Sequence, residues 1–345
     1  MVTLSQAPGR TTLINGKEHL FFSGYSYLGL GLNKVFTDLV KKGIDLYGVV
    51  YPSSRISNTA LDLYAKMEEQ LAAFTLAEDA AVFSSGFLSA RTAVDVVSQE
   101  MNVYCLPHTH PSSSALPGII KISESLSWQQ FLEERKAAGE FQFALAADSI
   151  HPTPGHINDF SFIASTPSSF NITLIIDDSH GIGWLGKNGK GIASLIDLPA
   201  HFQLLLNFSL SKSFHINGGT VCGSRKWISA VRRHVNYATS TPLMPSLAFA
   251  WTQASALFDA QREKLLQNIE YLQKITTNYT FVAGEGTPVF VVAKKGIAPY
   301  LLQNNVIISS FSYPHPESDP VNRVVVNALH LRSDLEILAQ LIELY

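Results

Sequence analysis

Short apolar runs alternate with amphipathic segments along most of this chain. The run 172–176 is typical of a buried strand, because four of its five side chains are aliphatic. Leu63, Met67 and Leu71 recur at helical spacing, which predicts a helix that packs one face against a core. The pattern predicts strands at 80–83, 102–106, 118–122, 141–146, 172–176, 203–209 and 219–223, and helices at 34–42, 61–76, 127–138 and 154–165.

The regular alternation stops after residue 227. A long helix, broken or bent in places, is predicted at 244–278, strands at 288–293, 306–310 and 323–326, and a closing helix at 333–344 with Ser333 as its N-cap. A short strand pair is predicted before residue 34. Strands that alternate with helices form mostly parallel sheets. We therefore expect an α/β fold: a mostly parallel central sheet in a large domain at 40–240, and a smaller α+β domain from 1–39 and 241–345.

Composition and charge narrow the class of protein. A chain of 345 residues exceeds the roughly 250–300 at which single cores stop growing, which favours two domains. Net charge is −3 and the longest basic cluster spans only 232–234, so no nucleic-acid partner is expected. No signal peptide and no apolar stretch of about 18 residues is visible, which predicts a cytoplasmic protein without a membrane partner. Cys105 and Cys222 form neither a disulfide framework nor a metal-ligand pattern.

Two of the predicted strands end in polar residues that suit pyridoxal phosphate (PLP). The run 172–176 is followed by Asp177, Asp178 and then His180, and the run 203–209 is followed by Lys212. A lysine can hold PLP covalently as a Schiff base. A carboxylate can keep the pyridine nitrogen protonated, so that the ring accepts electrons. Asp177 and Asp178 point to opposite faces of a strand, so only one of them can face the cofactor.

A phosphate site is predicted between the strand at 80–83 and the helix that follows it. Backbone N–H groups and the helix dipole bind phosphate at such a helix start. Gly86 would allow the phosphate to approach the backbone closely, and Ser85 would add a hydroxyl. Ser209, three residues before Lys212, could supply a further donor to the phosphate. Taken alone, a Ser-Gly turn in this position is more often only a turn.

Histidines follow another predicted strand, at 102–106. Either His108 or His110 could stack on a pyridine ring, and spacing alone does not decide between them or exclude a surface loop. A zinc site is disfavoured because further ligands at suitable spacing are lacking. His180 could donate to the phenolic oxygen of PLP. An Asp-Asp-Ser-His run by itself is more often a capping aspartate and a loop histidine, and the downstream Ser-Lys pair reverses that balance.

Taken in order, the motifs resemble those of the α-oxoamine synthases, PLP enzymes of fold type I. This group includes 8-amino-7-oxononanoate synthase and 2-amino-3-ketobutyrate coenzyme A ligase. The resemblance runs from about residue 21 to the end of the chain. It rests on the segments 27–30, 47–48, 53–55, 67–68, 83–87, 177–181, 186–191, 209–212, 240–242, 323 and 328–330.

The resemblance implies a PLP-dependent acyltransferase that condenses an amino acid with an acyl-coenzyme A thioester. It assigns the imine lysine and base to Lys212, the pyridinium partner to Asp177, the phenolic-oxygen contact to His180 and the stacked ring to His110. It assigns the phosphate and ring-edge contacts to Ser85, Gly86, Phe87 and Ser209. Thr241 resembles a phosphate contact supplied by the partner subunit, which implies a homodimer with shared active sites.

The chain departs from the family where relatives hold the amino-acid carboxylate. Tyr25-Ser26 stands in place of the usual Asn-Asp, and Arg323-Val324-Val325 in place of Arg-Leu-Arg. A bidentate guanidinium is hard to replace, so the sequence predicts a weakened carboxylate clamp. Pro152 also replaces an expected serine.

Three functions therefore compete. The first is the acyltransferase, either 8-amino-7-oxononanoate synthase-like or 2-amino-3-ketobutyrate coenzyme A ligase-like. The second is another PLP reaction on the same fold, as in an aminotransferase, a decarboxylase or an aldolase-type lyase, and the altered clamp is its main support. The third is a catalytically quiet relative, although Lys212 and Asp177 are both retained.

Overall fold

The computed structural model describes residues 2–151, 155–276, 281–283, 286–312 and 317–345. Seven strands form the larger sheet: β3 (Asp79–Phe83), β4 (Val103–Cys105), β5 (Ile120–Lys121), β6 (Gln142–Asp148), β7 (Asn171–Asp177), β8 (Phe202–Ser209) and β9 (Gly219–Gly223). Their spatial order is β3-β9-β8-β7-β6-β4-β5. β9 alone runs opposite to the other six strands, so the prediction of a mostly parallel sheet is confirmed.

A second sheet joins the two ends of the chain. Its strands are β1 (Thr11–Ile14), β2 (Lys17–Phe22), β10 (Phe281–Ala283), β11 (Val289–Val292), β12 (Val306–Ser312) and β13 (Pro320–Val325), in the order β1-β2-β12-β13-β11-β10. Amino-terminal β2 runs parallel to β12, with Leu20 opposite Val306. The sheet thus uses the parts of the chain assigned to the smaller domain, while the domain limits themselves stay a prediction.

The described helices cover both faces of the larger sheet and one side of the smaller. They are α1 (Lys34–Tyr47), α2 (Asp62–Thr75), α3 (Gly86–Ser98), α4 (Pro111–Ser114), α5 (Trp128–Ala137), α6 (Phe162–Ser165), α7 (Arg225–Arg233), α8 (Val235–Ala238), α9 (Pro245–Gln253), α10 (Ser255–Ile275), α11 (Ile297–Gln303) and α12 (Arg332–Leu344). None of the helices in the described part of the chain is long and apolar enough to cross a membrane.

The central strands are buried on both faces, which explains their nearly continuous apolar sequences. Ile175 and Leu205 belong to the cluster that packs beneath α3, whereas Leu174 and Leu206 belong to the larger cluster on the opposite face. This double burial fixes the strand register, because a slip of one residue would exchange the two sets of side chains. The register in turn fixes which polar residues meet at the strand ends.

Two predicted helices differ from the structure, and a third has the interruption that was predicted for it. The helix predicted at 154–165 is helical only over α6, because 155–161 returns along the end of β6 and Asn158 N–H donates to the Ser149 carbonyl. The helix predicted at 244–278 breaks at Ala254 into α9 and α10. The last helix is capped by Asp334, whose carboxylate accepts from the Leu331 N–H, and not by Ser333. Pro152 and residues 277–278 lie outside the described residues.

Candidate active site

The carboxyl ends of three neighbouring parallel strands define the candidate site. Asp148 ends β6, Asp177 ends β7, and both are in register with Asn207 near the end of β8. Lys212 follows β8 by three residues and is carried back toward this edge by the turn after Ser209. Parallel α/β sheets place ligands at this edge. The strand order therefore brings the lysine and two carboxylates together from distant parts of the sequence.

A cleft of about 220 Å³ opens at this edge. It is lined by seven of the predicted site residues, namely Gly86, Phe87, His110, Asp177, His180, Ser209 and Lys212. Tyr25, Ser112, Asp148, Ile150, Ser179 and Ser211 complete the lining. Ser85 lies beside the cleft as the N-cap of α3, whereas Thr241 is exposed and does not line it. The assigned roles of these residues stay predictions.

The Lys212 amine lies among charges of both signs. Burial lowers the pKa of Lys212, Asp177 and Asp148 oppose that shift, and the Arg323 guanidinium adds to it. A lowered pKa makes the neutral amine, the nucleophilic form, more abundant near neutral pH. Lys212 is therefore suited to attack a carbonyl group and to exchange protons.

Asp177 and Asp178 face opposite sides, as the strand geometry requires. The Asp177 carboxylate is half-buried at the cleft and accepts the Ser179 N–H on Oδ1 at 3.0 Å. Asp178 is fully buried, accepts the Ile192 N–H at 3.0 Å, and has its pKa raised to about 7 by that burial. Asp177 is therefore the carboxylate available to a ligand.

His180 is held by a phenol from the amino-terminal arm. The Tyr27 hydroxyl lies 2.7 Å from His180 Nδ1, and the His180 carbonyl accepts the Trp184 indole N–H at 2.6 Å. Burial, then the charges of Lys212 and Arg323, keep the pKa of His180 well below its usual range. His180 is therefore a neutral imidazole, and a neutral imidazole can donate one hydrogen bond into the cleft.

The structure separates the two histidines that follow β4. His110 lines the cleft, its main-chain N–H donates to Asp148 Oδ2 at 2.9 Å, and burial lowers its pKa. His108 turns outward, where Nε2 lies 3.2 Å from a Glu124 carboxylate oxygen. This placement favours His110 as the ring-stacking residue. Among the described residues, no group of three or more His, Cys, Asp or Glu is arranged to hold a metal ion.

The predicted phosphate site is a tight contact between α3 and the end of β8. A Cβ placed on Gly86 would lie 2.4 Å from Ser209 Cβ, which is closer than real Cβ atoms approach. Only glycine therefore lets the first turn of α3 approach Ser209 so closely. The Ser209 and Ser211 hydroxyls lie 2.6 Å apart beside this helix start, whose first N–H groups have no partner within the helix.

The strand that carries the altered clamp positions also places one arginine near the site. Val325 is buried in β13 and contributes nothing to the cleft, as expected. Arg323, two residues earlier on the same strand, is close enough for its charge to lower the pKa values of Lys212 and His180. In the family pattern Arg-Leu-Arg, Arg323 corresponds to the first arginine and Val325 to the second. The Arg323 guanidinium therefore acts on the site through its charge, although it does not line the cleft.

Asp148 was not among the predicted site residues. It is buried, its pKa is raised well above the usual range by burial and then by the Asp177 carboxylate, and its Oδ2 accepts the His110 N–H. Its sequence signal was weak, because a single acid after an apolar strand is common. Only the register with Asp177 reveals its position.

These residues fit PLP by their chemistry. Lys212 supplies the amine, Asp177 a carboxylate, His180 a neutral donor and His110 an imidazole at the cleft wall. The close approach of Gly86 to Ser209 brings the start of α3, which suits a phosphate, beside the serine hydroxyls that follow β8.

Comparison with known proteins agrees with this arrangement. Residues 156–342 match the model of the family described as "Aminotransferase class I and II". An 8-amino-7-oxononanoate synthase of Petrotoga mobilis is 26% identical over 97% of this chain and 90% of its own length. One from Thermosipho melanesiensis is 24% identical with the same coverage.

Solved structures share the fold at lower identity. A serine palmitoyltransferase from S. paucimobilis with bound PLP and myriocin superposes with a TM-score of 0.85 at 17% identity, covering 100% of this chain and 92% of that chain. An 8-amino-7-oxononanoate synthase from Francisella tularensis gives a TM-score of 0.71 at 21% identity, covering 94% and 96%. The predicted fold type I and the predicted resemblance to the α-oxoamine synthases are confirmed.

Proposed function

We propose that this chain, which belongs to the aminotransferase class I and II family, condenses an amino acid with an acyl thioester. The predictions of PLP as cofactor and of a PLP-dependent transferase are confirmed by the family and its relatives. The acyltransferase reaction and its substrates are our proposal. The observation that carries it is the convergence of Lys212, Asp177 and His110 on one cleft, with Arg323 near enough for its charge to act on Lys212.

Bound PLP would supply an electron sink that stabilises negative charge on the amino-acid α-carbon. Lys212 would hold the cofactor and then move the α-proton, since its lowered pKa leaves a basic amine near neutral pH. Asp177 would hold a proton on the ring nitrogen, and His180 would donate to the phenolic oxygen.

Arg323 is our candidate for the amino-acid carboxylate. Arg323 is partly buried, and its charge adds to the effect of burial in lowering the pKa values of Lys212 and His180. A guanidinium binds a carboxylate through paired hydrogen bonds. This position weakens the case for a different PLP reaction, whose main support is the loss of the usual Asn and second Arg at Tyr25 and Val325. The acyl thioester would then be attacked by the α-carbon, and coenzyme A would leave as the free thiol.

Thr241 and the homodimer belong to the same proposal. Thr241 is exposed in the single chain and lies apart from the cleft, as expected of a residue that serves a partner's site. Its proposed role is a phosphate contact across the subunit interface.

A thiol-release assay tests the proposal. The PLP-loaded protein is mixed with glycine, alanine or serine and with acyl-coenzyme A thioesters of increasing chain length, and free coenzyme A is measured. We expect release that needs both substrates and is absent from Lys212→Ala. Amino-group transfer to a 2-oxo acid, without thiol release, would instead identify an aminotransferase. PLP binding with no reaction of any amino acid would support the catalytically quiet relative.

A further inference from the structure

Asn207 is a buried amide with no hydrogen-bond partner among the described residues. Its side chain is 0% exposed on the third-last residue of β8, and neither Nδ2 nor Oδ1 has a partner. Leaving such a group unpaired is costly, so buried amides in native proteins nearly always have a partner. The neighbouring positions along the same face of β8 are apolar Leu205 and, at the cleft, Ser209.

Asn207 lies directly beside Asp177. The two Cα atoms are register partners on the parallel strands β7 and β8, and the Asp178 N–H donates to the Asn207 carbonyl at 2.8 Å. In-register residues of adjacent strands point to the same face, and adjacent strands lie about 4.8 Å apart. The register partner on the other side is Val221, which offers no side-chain hydrogen bond. Asp177 is thus the nearest polar group along this row.

The Asp177 carboxylate has capacity for another donor. Among the described residues, it accepts one hydrogen bond, from the Ser179 N–H to Oδ1. On the side of Asp177 away from Asn207, its register partner on β6 is Asp148. A second carboxyl group therefore lies next to the Asp177 carboxylate. A donor on the Asn207 side would hold the Asp177 carboxylate in one orientation.

We infer that Asn207 is a positioning residue for Asp177: its amide N–H donates to the Asp177 carboxylate when PLP is bound, orienting that carboxylate toward the ring nitrogen. Asp148, Asp177 and Asn207 thus form a row across β6, β7 and β8, in which two carboxyl groups are followed by an amide. Asn207 does not itself touch the cofactor. The inference rests on the PLP site of the proposed function and is independent of acyl transfer.

The test replaces Asn207 with leucine, which has a similar shape and no hydrogen-bonding groups. The cofactor-free protein should keep its melting temperature or gain in it, because a buried unpaired amide is removed. PLP should bind about tenfold more weakly, since a hydrogen bond to a charged group is lost. The pH midpoint of the visible absorbance band of bound PLP should also shift, because the band reports protonation at the ring.

The controls separate this role from a general effect on packing. Leu205→Val changes the same strand and face two residues away, and should leave the pH midpoint unchanged. If Asn207→Leu does not fold, Asn207→Val is used, because valine suits a strand. A lower melting temperature of the cofactor-free protein with an unmoved pH midpoint would overturn the inference, and so would unchanged PLP affinity. If the unaltered protein fails to bind PLP, the proposed function itself fails.

Discussion

The hydroxyl oxygen of Tyr27 lies 2.7 Å from Nδ1 of His180 at the base of the cleft. Burial raises the pKa of Tyr27 to about 12, so the phenol keeps its proton. The pKa of His180 is well below its usual range, so the imidazole is neutral. If the phenol donates to Nδ1, the ring proton of His180 must be on Nε2. Tyr27 thus fixes the tautomer that can donate to a ligand.

Tyr27→Phe removes this constraint and keeps the ring packing. We expect His180 to populate both tautomers, so that its donation to the phenolic oxygen of PLP weakens. The visible absorbance maximum of bound PLP should shift, and the turnover number should fall about tenfold, the value of one hydrogen bond of roughly 1.4 kcal/mol. Absorbance titration and steady-state kinetics check this. Tyr51→Phe, at an exposed hydroxyl away from the cleft, is the control, and an unshifted spectrum in Tyr27→Phe would contradict the tautomer assignment.

Arg323→Gln tests the proposed carboxylate contact. Loss of a guanidinium–carboxylate pair should raise KM for the amino acid by about 10–100-fold, and that for the acyl thioester much less. Arg323→Lys should recover only part of the affinity, because an ammonium cannot form the paired hydrogen bonds. Equal effects on both substrates would argue for a structural role instead.

The same variant should change cofactor uptake. The Arg323 charge lowers the pKa of Lys212, so removing it raises that pKa and leaves less neutral amine at pH 7.5. Covalent uptake of PLP needs the neutral amine. Uptake followed by absorbance should therefore be slower in Arg323→Gln at pH 7.5, and the difference should disappear as the pH rises. A difference that grew with pH would have the wrong sign.

Tyr25→Asn tests the other departure from the family. Tyr25 lines the cleft and is 51% exposed, so its ring occupies the mouth without being needed for the core. An asparagine would open the mouth and add an amide donor near the substrate. We expect KM for the amino acid to fall severalfold, because one added hydrogen bond contributes about 1 kcal/mol of binding free energy. Tyr25→Phe, which keeps the ring, should behave like the unaltered protein, and a higher KM in Tyr25→Asn would show that the ring itself binds substrate.

The sequence pattern located the site residues well where a single apolar strand is followed directly by charged or polar residues. The end of β7 and the turn after β8 each combine an apolar run with charged residues, and Asp177, His180 and Lys212 do line one cleft. The buried strands of a parallel sheet give long aliphatic runs, so their limits were predicted to within one or two residues for β6, β7 and β8.

The features that were missed depend on contacts between strands. Asp148 and Asn207 acquire meaning only through their register with Asp177, which no local pattern encodes. The effect of the Arg323 charge on Lys212 was likewise missed, because the two residues are far apart in the sequence and approach each other only in the fold. The helix at 154–165 was predicted from composition, but backbone bonds to the end of β6 hold 155–161 in another conformation.

Thr241 allows a test of shared active sites by mixing inactive variants. If Thr241 serves the partner's site, a dimer of one Lys212→Ala chain and one Thr241→Asp chain contains one intact site. Random pairing should then restore about a quarter of the activity, since half of the dimers are hybrid and each has one good site of two. Mixing Lys212→Ala with Asp177→Ala should restore nothing, because both residues belong to the same site. Equal results from the two mixtures would place Thr241 outside the partner's site.

His330 predicts how stability depends on pH. The imidazole stacks on Phe22 at 4.0 Å, its Nδ1 accepts the Asn327 N–H at 3.1 Å, and its Nε2 lies 3.1 Å from the Phe21 carbonyl oxygen. Nε2 must therefore carry the proton, and protonating Nδ1 would break the Asn327 bond. Burial accordingly lowers the pKa of His330 to about 4.

A histidine whose folded-state pKa is lowered stabilises the fold above its unfolded pKa near 6.5, and this stability is lost as the pH falls toward 4. Between pH 7 and pH 5 the free energy of unfolding should drop by about 2 kcal/mol through this residue. Urea unfolding of the cofactor-free protein at both pH values measures the drop. His330→Gln should be less stable at pH 7 but lose that share of the pH dependence, whereas His156→Gln, at an exposed site, should keep it. An unchanged pH dependence in His330→Gln would mean that the drop comes from other buried groups, of which His180 is the first to examine because its pKa is lowered as well.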